Sequence, residues 1–166
     1  HLAILTLAVL LGHGLAAAVT FWSDPDAVNG LPALWRLSWS SILLGATFLG
    51  AGYALSALSR RPSGAAGLAI GLWLGLVVLY DLALLTAIVA DNGGWFTTDA
   101  FPVALLANPA DAFRLFNLTA SGATAAAAGV GGAADAIPLW QSLASVLLWP
   151  FAALMLAAAA FRKVTP

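Results

Sequence analysis

Cysteine is absent from this 166-residue chain, so neither a disulfide framework nor a thiolate metal site can be built. Glutamate is absent as well, and charged residues make up only 8% of the sequence, against roughly 25% in an ordinary soluble domain. With 62% apolar residues and a mean hydropathy of +0.97, this composition excludes a water-soluble globular protein. Six basic and seven acidic groups leave a net charge of −1, which supplies no basic field, and no nucleic-acid partner is expected. Catalytic signatures are missing too: there is no GxxxxGK[ST] loop, no HExxH, no GxSxG and no second intramembrane Asp to form a dyad. The chain therefore reads as a non-enzyme that binds no cofactor of its own, and any ATP and magnesium would belong to a separate subunit. One Met and two His, His1 and His13, are too few for a copper site, and no metal is expected. The first residue is His rather than Met and no basic flank precedes the apolar run at Leu2, which reads as a fragment whose upstream part is missing.

What the chain does contain is apolar length. A helix needs roughly 20 predominantly apolar residues to cross a hydrocarbon core of about 30 Å, and four segments qualify, at about 2–22, 37–58, 65–90 and 138–161. The expectation is an all-α integral membrane protein, residues 1–166 forming a single transmembrane domain surrounded by lipid. Two connections are short. Residues 23–35 are acidic and rich in helix breakers, and the stretch from Ser59 to Gly64 carries Arg60 and Arg61. The third, 91–137, is long and carries four Asp against a single Arg114. Basic residues stay on the cytoplasmic side of short loops, so Arg60, Arg61, Arg162 and Lys163 mark that side and the acidic loops face outward, toward a periplasm in a Gram-negative cell. Trp22, Trp35, Trp39, Trp95 and Trp140 cluster near the outward ends, where indole rings suit the headgroup layer.

Within the long connection, residues 101–118 hold an apolar run too short to span, followed by Asn108-Pro109, a cap and first-turn pair that opens a new helix. Two half-helices, re-entrant or interfacial, are predicted, with Asp111 and Arg114 able to meet three residues apart. Residues 119–137 are a weakly specified Ala/Gly/Ser/Thr linker. Asp81 is the one carboxylate well inside an apolar span. Such a group is costly unless paired, and Arg36, Arg114 and His13 are its candidate partners. It reads either as a structural carboxylate or as a transport or gating residue; His13 reads as an interhelical hydrogen bonder. Gly67, Gly71 and Gly75 share one stripe of the third span and predict a close helix contact, a spacing that Ala46 and Gly50 repeat in the second.

The stretch YALSALSRRPSGAAGLAIGLWLGLVVLYDLALL from Tyr53, then FPVALLANPADAFRLFNLTAS, then a last helix ending FRK, resembles the ABC-2 type permease subunit of the nitrous-oxide reductase maturation ABC transporter. The likeness covers the whole chain as the last four of six membrane helices. Its most specific parts are the block from Ala65 to Trp73, the Tyr80-Asp81 pair, and Asn108-Pro109-Ala110-Asp111 with Arg114, Asn117 and Leu118, a segment suited to docking a partner. The resemblance implies a homodimeric permease in the bacterial inner membrane, bound by cytoplasmic ABC ATPase subunits and a periplasmic β-helix protein, serving maturation of a copper site during denitrification. It also implies that two further helices and the main coupling loop precede His1. The alternative is a non-energised membrane scaffold or small-molecule channel whose external loop docks a partner.

Overall fold

The computed structural model describes residues 1–59, 61–119 and 137–164. Arg60 and most of the expected linker, 120–136, therefore lie outside the described residues. Among those described, every regular element is helical. Four helices are long and apolar enough to cross a membrane, as the apolar runs predict. Helix α1 spans Leu2–Ser23, α2 spans Leu31–Leu58, and the third crossing joins α3 (Pro62–Leu74) to α4 (Tyr80–Asp91) through a π-helical turn at Gly75–Leu79. Two short helices follow, α5 (Phe101–Leu106) and α6 (Pro109–Leu118), and α7 covers Leu139–Val164.

The second span begins six residues earlier than its expected start at 37. Asp24 caps a 3-10 turn at Pro25–Gly30 by accepting from the Asp26 amide, and α2 follows at once with Pro32 in its first turn. Proline at that position starts a helix, because its missing amide hydrogen would be unpaired there anyway, so the apparent breaker is a beginning. Pro62 opens α3 in the same way. Helix α4 stops at Asn92, whose φ of 52° is left-handed, followed by Gly93 at φ 83°, a helix end that needs residues tolerant of that region.

The core lies between α2, α6 and α7. Ala112, Phe116 and Val146 are buried together, with Trp39, Leu43 and Leu143 packed around them. Further along the same two helices, a Cβ added to Gly50 would sit 3.0 Å from the Ala153 backbone, so only glycine lets α2 and α7 approach this closely. Contacts that advance together from Leu43 and Leu143 to Gly50 and Ala153 show that the two helices run parallel. Their C-terminal ends therefore share one side, which places Arg162 and Lys163 at the same end as Arg61. Trp39 departs from the expected aromatic belt: it packs edge-on to Phe116, with ring centroids 5.3 Å apart, while Trp22, Trp35, Trp95 and Trp140 are exposed.

The Gly67, Gly71 and Gly75 stripe has no neighbour within 4 Å of an added Cβ, so no described helix packs against it. The predicted close contact is absent among the described residues, and the small-residue approach occurs at Gly50 instead. Helix α1 contributes no buried residue and rests on α2 through Leu5 against Gly45 and through two histidine hydrogen bonds.

Candidate functional site

A broken helix in an apolar surrounding leaves backbone amides and carbonyls unpaired, and each such group costs energy unless a side chain or neighbouring helix satisfies it. The α5–α6 hairpin meets this demand from three sides. Asn108 is fully buried between its two arms; its Oδ1 accepts from the Ala110 amide at 2.9 Å, and its Nδ2 donates to the Leu76 carbonyl at 2.6 Å. Leu76 belongs to the π turn, so one asparagine both starts α6 and satisfies an oxygen in the irregular stretch of the third span. At the end of α5, Tyr80 donates its hydroxyl to the Ala104 carbonyl at 2.8 Å, and Ser145 of α7 donates to the Leu106 carbonyl at 2.7 Å. At the end of α6, Arg36 of α2 donates to the Asn117 carbonyl at 3.0 Å and stacks over the Phe116 ring, while the Asn117 amide donates to Ser40 at 3.0 Å.

These bonds fix the depth of the hairpin. Leu76 is fifteen residues before Asp91, roughly 20 Å along the helix axis, whereas Arg36 lies within the first two turns of α2. The Ala107–Asn108 turn is therefore deep beside the third span and the far end of α6 returns toward the surface, as a re-entrant pair requires.

Beside the hairpin the charged groups converge. Arg114 Nη1 donates to Asp81 Oδ2 at 2.5 Å and to Asp111 Oδ1 at 2.8 Å. Of the three partners open to Asp81, the structure selects Arg114: Arg36 is engaged by Asn117 and Phe116, and His13 Nδ1 is 2.9 Å from Ser38 Oγ. Asp111 is 4% exposed, against about 40% for the side chains of Asp81 and Arg114, and among the described residues its Oδ2 has no hydrogen-bond partner. All three side chains line a cavity of about 340 Å³ between α4, α5 and α6, walled by Leu84, Leu105, Leu115 and other apolar residues.

The sequence pattern brought Asn108, Pro109, Asp111, Arg114 and Asn117 to one short helix, and the structure adds Asp81 to them. Tyr80, Ser40 and Ser145 join the hairpin contacts without a motif to mark them as such. Their signal is a hydroxyl inside an apolar helix, which needs an acceptor wherever it is buried. His1 and His13 are held apart on α1 by Tyr53 and Ser38, and among the described residues no three His, Cys, Asp or Glu side chains converge as metal ligands would.

Comparison with known proteins gives a consistent picture. The family described as "ABC-2 family transporter protein" matches residues 1–165. A protein of Pseudomonas aeruginosa named "Probable ABC transporter permease protein NosY" is 43% identical over 98% of this chain. A protein of the same name from Stutzerimonas stutzeri is 38% identical over the same share. The chain spans about 60% of the length of each of these relatives.

Proposed function

This chain belongs to the ABC-2 family of transporter proteins, and on that footing we propose that it forms the helical membrane part of a permease subunit that relays ATP-driven motion from a cytoplasmic ATPase subunit to a partner outside the membrane. The names of the relatives support a permease. The motif resemblance supports a place in nitrous-oxide reductase copper-site maturation, with a permease homodimer in the bacterial inner membrane and a periplasmic β-helix protein as the external partner. ATP and magnesium then belong to the ATPase. The orientation follows the basic end: Arg61, Arg162 and Lys163 lie toward the cytoplasm, and the α1–α2 connection and the mouth of the hairpin lie outside.

The observation that carries this reading is the anchoring of the hairpin. The Leu76 carbonyl, the Ser145 hydroxyl and the Arg36 guanidinium hold it to the third span, α7 and α2 respectively. A tilt of any of these helices at its cytoplasmic end must be passed to α5 and α6 or break one of these part-buried hydrogen bonds. The test uses the full-length permease in nanodiscs with its ATPase. Spin labels at Val28 and Thr98, both exposed, report the distance between the two outward connections. A distance change on ATP binding, reversed after hydrolysis, is expected. An ATPase that fails to copurify, or binds without altering the distance, would favour a non-energised scaffold or channel.

A further inference from the structure

Two carboxylates share one guanidinium in this site, which leaves one negative charge in excess. Arg114 is the one cation bonded to either of them among the described residues. The other groups near Asp111 do not remedy this. From the third span Asp81 brings the second negative charge and Tyr80 an uncharged phenol already donating to Ala104. Arg36 of α2 is turned to Asn117 and Phe116, and the basic residues of α7 are at its opposite end. An excess charge beside an apolar wall is expensive, and a group so placed takes up a proton where it can.

We propose that the Asp81–Arg114–Asp111 cluster is a proton-binding site, holding one proton between its two carboxyls when the cavity faces neutral water. The geometry has a vacant place for it. A single nitrogen, Arg114 Nη1, holds one oxygen of each carboxylate, so the two acids are neighbours, and the buried Asp111 Oδ2 accepts from no donor among the described residues. A proton there removes the excess charge and lets the Asp111 carboxyl donate to the neighbouring Asp81 carboxylate. The cavity leaves the cluster open on one side, where a proton can be exchanged. Covering its mouth with protein or lipid lowers the dielectric further and strengthens the demand for the proton. The inference concerns these three side chains alone and stands whether or not an ATPase drives the helices.

Infrared difference spectroscopy of the full-length protein in nanodiscs, stepped through about pH 5 to pH 8, reads the proton directly as a carboxylic C=O band that shifts in deuterated water. The wild type is expected to show one protonated carboxyl at about pH 6. Both Asp81→Asn and Asp111→Asn should lose the band, because each leaves one carboxylate balanced by Arg114. Arg114→Gln should enlarge it, since neither acid then has a cation. Persistence of the band in Asp81→Asn would show an isolated buried acid rather than a shared proton, and would overturn the proposal. Absence of the band in the wild type overturns it without recourse to any variant.

Discussion

Asn108→Ala removes both services of the residue that sits between the half-helices. Loss of the cap on the Ala110 amide costs about 1 kcal/mol, the typical value for an N-cap asparagine. Loss of the donor to the part-buried Leu76 carbonyl removes a second hydrogen bond, and leaving such a group unsatisfied costs about 1–3 kcal/mol. Full burial of Asn108 means that water cannot replace either partner cheaply. The expected destabilisation is therefore about 3 kcal/mol, a large fraction of the stability of a membrane domain. Asn108→Ser separates the two contributions, because a serine hydroxyl can still cap Ala110 but is too short to reach Leu76. It should recover about 1 kcal/mol of the loss and no more. Equilibrium unfolding of the full-length permease in mixed micelles measures the order wild type, Ser, Ala. Amide hydrogen exchange at Ala110 and along the π turn locates the change. If Asn108→Ala stays within about 0.5 kcal/mol of wild type, the hairpin is not held by this residue and the depth assigned to it is wrong.

Arg114→Ala should leave two carboxylates unpaired and destabilise the protein by about 2 kcal/mol; combined with Asp81→Ala it should cost less than the sum, and an additive double-mutant cycle in micelle unfolding counts against the pair. Gly50→Ala forces α2 away from the Ala153 backbone and should lower stability by about 1–2 kcal/mol. Gly71→Ala, with open space around it, should stay within about 0.5 kcal/mol of wild type in the monomer, and a larger loss on dimerisation would show that the stripe meets another chain. Because the chain has no cysteine, single Cys substitutions at Ser63 and at Ala27 or Thr98 report topology without background. Ser63 should react with impermeant thiol reagents only from the cytoplasmic side and the other two only from outside; external labelling of Ser63 overturns the orientation.

The four crossings were legible in the sequence because hydrocarbon thickness sets a length that the apolar runs either meet or fail to meet. The cap at Asn108 was legible too, since Asn-Pro before a helical pattern has a local cause. The partner of Asp81 was not. Arg36, Arg114 and His13 all lie at plausible depths, and the choice depends on how the hairpin docks, which is a long-range packing outcome. Trp39 looked like a belt residue for a similar reason: its position near a helix end is local information, while Phe116 beside it is not. The glycine stripe has a spacing that permits a contact, yet spacing alone does not say which helix will come. The π turn left no trace that composition or periodicity could expose, as Gly75–Leu79 is uninterrupted apolar sequence compatible with an ordinary helix.

That turn sets a phase. Each residue of an α-helix advances about 100° around the axis, and a π turn accommodates one residue more than the regular winding allows. Everything from Tyr80 to Asp91 is thereby rotated relative to α3. The extra residue turns the Tyr80 hydroxyl toward Ala104 and the Asp81 carboxylate toward Arg114 without altering which residues face the lipid earlier in the same crossing. A single deletion among Leu76–Leu79 would restore regular winding and swing both side chains off the hairpin together, although no atom of the hairpin had been touched. Conversely, the two ends of this crossing are free to drift apart in angular position through insertions and deletions at one place, while each keeps its own set of neighbours.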